Sequence, residues 1–186
     1  MTLGKVGTNT LAVINPNNYH DAQNRQNILK MRAVVDTLPS FCKTFFKGIE
    51  EYTSARTRLA YAYDIRLFFE FLHEKNAVCS KMEIKDFPLS ILDELHRQDI
   101  EEYLEYLSLY EKDGKEITND ERGKSRKLAS LKSFYNYFYH SEMLKNNPAA
   151  LVPLPKQHEK AIIRLEPNEV AILLDQVEDG TKLTEK

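Results

Sequence analysis

The chain has 186 residues, 42% of them hydrophobic and 29% charged, with a formal net charge of -2. This is enough for one domain of ordinary size and excludes an intrinsically disordered chain. No run approaches the roughly 18 consecutive apolar residues of a membrane span. The first residues hold only the short apolar stretch Leu11–Ala12–Val13–Ile14, too short and broken for a secretory signal, so the expected compartment is the cytoplasm, with no membrane partner.

Residues 1–20 carry Asn, Thr, Gly and one Pro without a period, which predicts a flexible arm. From Asp21 to Leu38 the pattern turns helical, with Ile28, Met31 and Val35 spaced by three and four. Leu38-Pro39-Ser40 breaks it. A second helix is expected over Phe41–Tyr52, with Phe41, Phe45, Ile49 and Tyr52 on one stripe and Cys42 as a small core residue. A long helix follows over Ala55–Lys75. Its inner stripe is Tyr61, Ile65, Phe68 and Leu72, widened by Phe69. The stretch 76–91 has no clear period and contains Pro88, so it reads as a linker with a short turn.

Ile100, Tyr103, Leu104 and Leu107 predict a helix over Arg97–Tyr110, with Glu101, Glu102 and Glu105 on its outer face. Gly114 and Asn119-Asp120 mark a polar loop. A last long helix is expected over Arg122–Leu144, built on Leu128, Leu131, Tyr135 and Phe138, and stopped by Asn146-Asn147-Pro148. Val152–Lys156 is expected to be extended. One more helix opens near Leu165-Glu166-Pro167 and runs to about Val177. No alternating apolar run predicts a sheet. The fold class is therefore all-α: a compact bundle of four to five helices over 21–150, an extended linker over 151–163, and over 164–186 the first helix of a further domain that the chain does not complete.

Catalytic signatures are missing. His73-Glu74 and His158-Glu159 lack the second His of H-E-x-x-H, and there is no G-x-S-x-G, phosphate-binding loop or G-x-G-x-x-G. Two cysteines, Cys42 and Cys79, make neither a disulfide framework nor a closed zinc site. The five histidines are scattered and read as surface or boundary residues. No metal or cofactor is expected.

Positive charge, by contrast, is segregated. Arg122, Lys124, Arg126, Lys127 and Lys132 follow one another with no acid between them at the start of a helix. A helix N-terminus already carries partial positive charge, so cations placed there suit an anion better than they suit the helix. On a helical wheel Arg126, Ala129, Ser130, Ser133 and Tyr137 lie opposite the core stripe. Small and hydrogen-bonding side chains flanked by cations are what a helix needs in a DNA major groove. The helix at 55–75 repeats the plan: Arg56, Thr57 and Arg58 in the first turn, Leu59, Ala60 and Tyr63 pointing outward, and Arg66 one turn on. This segregation answers the objection raised by the net charge. An ordinary charged amphipathic bundle that docks a protein, and a nucleic-acid binder of another kind, including one for RNA, remain open on these residues alone.

Four stretches, in order, resemble the tyrosine recombinase (phage integrase) family. Ser54-x-x-Thr57-x-x-x-Tyr61-x-x-Asp64-Ile65-x-x-Phe68 through Leu72 is similar to the opening of its SAM-like core-binding domain. Asp99-Ile100-Glu101-Glu102-Tyr103-Leu104 resembles that domain's middle helix. Arg126 through Phe138, with Asn147-Pro148 and Leu154-Pro155-Lys156, resembles its final helix and interdomain linker. Leu165 through Leu174 resembles the helix that opens the catalytic domain. The added helix before the core, and the long loop at 111–121, are most similar to Xer-type recombinases of Gram-positive bacteria, with phage and transposon integrases also open.

The resemblance implies sequence-specific duplex DNA as partner. On the helix faces read above, the expected DNA contacts are Arg56, Thr57, Arg58, Ala60, Tyr63, Arg66, Lys124, Arg126, Lys127, Ser130, Lys132, Ser133 and Tyr137, with Lys156 and His158 on the linker. The resemblance also implies a parent enzyme that links a tyrosine to a DNA 3′-phosphate without metal or ATP, inside a tetramer of protomers. No His in this sequence is followed by Arg three positions later, and no G-x-R occurs. The fragment is thus expected to be non-catalytic and monomeric, with none of its ten tyrosines a nucleophile.

Overall fold

The computed structural model describes residues 16–156, 169–172 and 174. The chain divides into two units, residues 1–156 and 157–186. Among the described residues the first unit is all-α apart from one small hairpin, as its helical periodicities predict.

Helix α1, Pro16–Val35, begins at a proline, whose fixed φ and missing N–H suit the first helical position. The expected arm is thus shorter than 1–20, and residues 1–15 lie outside the described ones. α1 packs along α3 and buries Met31, Val34 and Val35. Helix α2, Phe41–Gly48, buries Cys42, Phe45 and Phe46. Burial pushes the Cys42 thiol well above the ordinary range, as befits a core residue. α2 ends four residues before the expected Tyr52. Ile49 leaves the helical region (φ -94°, ψ 3°) and a short 3-10 turn, Glu50–Tyr52, redirects the chain. The stripe therefore loses its register, and Tyr52, expected inside, is 85% exposed.

Helix α3, Ala55–Lys75, is capped by Ser54, whose hydroxyl accepts the Thr57 N–H at 3.1 Å. It is the central element, in contact with α1 and with both helices α5 and α6 introduced below. Ile65, Phe68, Phe69 and Leu72 are buried as expected, and Leu67 and Phe71 join them on a second side.

The stretch after α3 is not a linker. Two 3-10 turns, Cys79–Lys81 and Ile84–Asp86, lead into the one-turn helix α4, Ile91–Glu94. Cys79, Phe87, Ile91, Leu92 and Leu95 all sit in the core. The Asn76 side chain starts this path by accepting the N–H groups of Val78 and Cys79.

Helix α5, Arg97–Tyr106, stops short of the expected Tyr110. The next residues form strands β1, Tyr110–Lys112, and β2, Lys115–Ile117, paired antiparallel with Tyr110 opposite Ile117. Asp113 and Gly114 both have positive φ (53° and 72°), the conformation a two-residue hairpin turn requires. The expected polar loop is therefore largely a hairpin. Lys112 anchors it to α3 through Glu70 at 2.6 Å.

Helix α6, Glu121–His140, is capped by Asp120, which accepts the Gly123 N–H at 2.8 Å. Leu128, Leu131, Tyr135 and Phe138 are buried as predicted. Phe134 adds the centre of an aromatic cluster, with ring centroids 5.0 Å from Phe45 and 5.1 Å from Phe138. Each such pair contributes about 0.5–1.5 kcal/mol beyond its buried area. The helix ends before the expected Leu144. A 3-10 turn, Pro148–Leu151, then packs against α5 and α6.

In the second unit residues 169–172 are helical, and Val170, Ile172 and Leu174 are exposed. The rest of the helix expected over 165–177 lies outside the described residues. No described helix is long and apolar enough to cross a membrane.

Candidate nucleic-acid interface

Two exposed helix faces meet along the α3–α6 contact. On α3 the line runs through Arg56, Ala60, Tyr63 and Arg66, with Arg56 exposed and Tyr63 50% exposed; Leu59, expected to point outward, is half-buried and packs against the core. Arg56 has no protein partner among the described residues. Thr57 is spent on the cap: its hydroxyl lies 2.9 Å from that of Ser54. Arg66 pairs with Glu70 at 2.8 Å, and Glu70 also takes Lys112, so this corner retains one net positive charge.

On α6 an exposed line runs through Arg122, Arg126, Ala129, Asn136 and His140, with Ser133 half-buried on it; Glu121 and Tyr139 are exposed beside it. Lys132, also half-buried, flanks it. Steps of four, three, four, three and four residues keep this line on one side of the helix. Beyond His140 it runs into a cleft of about 650 Å³ lined by His96, Arg97, His140 and Lys145 together with Asp93.

The α6 wheel read from sequence is rotated relative to this. Ser130, expected to point outward, is fully buried and donates to the Asp64 carboxylate of α3 at 2.7 Å. Lys127, expected at the DNA rim, is buried, with its ammonium on the Asn119 side-chain oxygen at 2.6 Å. Asn119 in turn donates to the Leu107 carbonyl, so Lys127 ties α6 to the end of α5. Desolvation lowers the Lys127 pKa, opposed by the negative charge of Asp64. Lys124 turns the same way and meets the Ser108 hydroxyl at 2.5 Å. Tyr137 is half-buried, with its ring 5.6 Å from Phe45 and against Gly48.

Arg58 also changes role. It is 5% exposed and its Nη1 donates to the Glu50 carbonyl at 2.8 Å and to the Thr53 carbonyl. It braces the turn between α2 and α3 from inside, where it presents almost no surface to a ligand. Lys156 is exposed, and His158 lies outside the described residues.

The seam between the two helices is the Asp64–Arg126–Ser130 group. Asp64 is 3% exposed, and one of its oxygens accepts both Arg126 Nη1, at 2.5 Å, and Ser130 Oγ. Burial raises the Asp64 pKa, while the Ser130 hydrogen bond and the charges of Arg126 and Lys127 pull it back. Nothing in the sequence pattern of α6 alone signals this arrangement. The Asp at position 64 of α3, on the edge of an apolar stripe, was the available clue.

The arrangement defines a class: a helical module that joins a cationic, hydrogen-bonding helix face to a second one through a buried ionic seam. Among curated proteins the chain is 30% identical over 136 residues to tyrosine recombinase XerC of Caldanaerobacter subterraneus, covering 69% of this chain and 37% of that protein. It is 30% identical over 138 residues to tyrosine recombinase XerC of Leptospira interrogans, covering 74% and 38%. It is 26% identical over 138 residues to tyrosine recombinase XerD of Listeria innocua, covering 74% and 40%. The chain thus spans less than half the length of these relatives. No family model matches it, and no solved structure does. The chain belongs to the Xer-like tyrosine recombinase family.

Proposed function

We propose that residues 16–156 are the core-binding domain of a site-specific recombinase, and that they hold duplex DNA against the joined faces of α3 and α6. The observation that carries this reading is the α6 line Arg122–Arg126–Ala129–Ser133–Asn136–His140. After Glu121, the first residue of the helix, α6 carries no carboxylate through His140, in a chain whose net charge is -2. Small and hydrogen-bonding residues at its centre allow close approach to base edges, and cations toward its ends meet phosphates.

The partner is a duplex recombination site, and for the whole protein further protomers of its own kind assembled on DNA in the cytoplasm. The family's H-x-x-R is absent from this sequence, so the chain grips DNA without cutting it. A nicked suicide duplex is then expected to trap no covalent protein–DNA adduct, and an adduct would overturn the non-catalytic reading.

Band shifts on mixed-sequence duplex DNA at several salt concentrations test the binding itself. Arg56, Arg122 and Lys132 are the cations on these faces with no protein partner among the described residues. About three phosphates neutralised give a slope of log K against log salt near -3. A slope near zero, or no shift at low salt, would sink the reading in favour of a protein-docking bundle. Preference for single-stranded RNA in competition would move it to another nucleic acid.

A further inference from the structure

Arg126 is the most prominent cation on the α6 line, yet its charge is already answered. Asp64 comes from α3, is almost wholly buried, and spends one carboxylate oxygen on both Arg126 and Ser130. Ser130 Oγ also lies 3.1 Å from the Arg126 carbonyl, which shares or competes for its single proton, so the serine stands between the arginine backbone and the carboxylate. The Arg126 side chain is 50% exposed and engages Asp64 through Nη1 alone. Its Nε and Nη2 are given no protein acceptor among the described residues. A guanidinium is a rigid planar fork, so fixing one nitrogen limits the directions in which the others can donate. The groups around the carboxylate are Ser130, Arg126 and Lys127 from α6 and the buried Tyr103 from α5.

We propose that Asp64 is a positioning residue. With Ser130 it holds the Arg126 guanidinium in one orientation at the α3–α6 seam and cancels its charge, so that Arg126 reads DNA by directed hydrogen bonds and adds little to general phosphate attraction. This rests on the reading that the α3–α6 face binds duplex DNA, and it assigns different work to cations on that face. Arg122 and Lys132 supply charge; Arg126 supplies direction. A paired arginine aimed by a buried carboxylate suits bidentate recognition of a guanine edge in the major groove. A free arginine suits a phosphate.

The experiment uses the 186-residue chain and two probes: a duplex motif selected from a randomised 30-base-pair pool, and the unselected pool. Affinity for each is measured across salt, with circular dichroism melts as the fold control. Asp64→Asn leaves a neutral acceptor and liberates the arginine charge. The slope on the unselected pool is expected to steepen by about 1, while preference for the selected motif falls about tenfold. Ser130→Ala keeps the charge pair, so the slope should stay unchanged and the preference fall. Arg126→Lys keeps a cation beside Asp64 but loses the fork. Preference should again fall about tenfold with the slope unchanged, which keeps the question answerable if Asp64→Asn does not fold.

A purely structural carboxylate would change the melt and move neither slope nor preference. An Asp64→Asn protein that folds with an unaltered slope overturns the proposal, as does an Arg126→Lys protein with undiminished preference. If the unaltered chain binds neither probe, the DNA-binding reading itself has failed, which is a distinct result.

Discussion

Arg58 and Arg126 stand one turn from the starts of their helices, and only their partners separate them. Arg58 turns inward onto two backbone carbonyls, leaving Nε buried without a partner among the described residues. Arg58→Ala deletes the donor and abandons both acceptors. An unfolding midpoint in urea should report a loss of about 2–4 kcal/mol, with DNA affinity of the folded fraction unchanged. Arg58→Lys should recover only part of this, because an ammonium cannot serve two diverging carbonyls in the same plane. An Arg58→Ala protein of full stability and reduced affinity would return this residue to the interface.

Asp64 gives a prediction of pH dependence. Its carboxyl titrates above the ordinary 3.8, chiefly through burial. A carboxyl raised in the folded state binds its proton more tightly there than in the unfolded chain. Its contribution to stability is full below 3.8 and is lost as pH rises through the folded value. An asparagine at this position suffers no such loss. The stability difference between Asp64→Asn and the parent should therefore move in favour of asparagine from about pH 3.5 toward neutrality, then level off. A difference moving the other way would mean that the Arg126 and Ser130 interactions outweigh burial.

At the scale of elements, the helices were legible because apolar residues recur at three and four, and the core stripes of α3, α5 and α6 face the core where the period puts them, with Tyr61 and Leu104 half-buried at their edges. What was not legible followed from rules applied to one element at a time. Polar residues were assigned to the outside of α6, yet Ser130 and Lys127 are satisfied internally by Asp64 and Asn119, which belong to other segments. Sequence periodicity cannot supply such a partner. The path from Cys79 to Leu95 buries its apolar residues without a helical period, so no pattern exposed it. The hairpin did have a signal, Asp113-Gly114, and the short strands beside it were masked by their charge.

The α2–α6 contact shows how closely elements are fitted. A Cβ on Gly48 would lie 2.3 Å from the Tyr137 ring, so the glycine ends α2 and also admits the tyrosine. Gly48→Ala should cost about 1–3 kcal/mol, read from thermal melts. Adding Tyr137→Leu should restore part of that loss, since the smaller side chain vacates the space. Two losses that simply add would show that ring and glycine do not meet.

At the scale of the molecule, the first unit contains its own core. Buried apolar residues run from Met31 to Val152, and every helix from α1 to α6 contributes to them except where a face is turned to solvent. An independent core of this kind should fold without the second unit. A chain ending at Lys156 is therefore expected to melt in one cooperative transition, within a few degrees of the 186-residue chain, and to keep its far-ultraviolet helix signal. Its DNA affinity is a sharper measure. The cations without protein partners on α3 and α6 all lie before residue 156, so the shortened chain should preserve the salt slope of the longer one to within about 1. If instead the slope fell toward zero while the melt survived, the electrostatic footprint would belong to residues beyond 156. The α3–α6 face would then be a well-packed surface that DNA does not use.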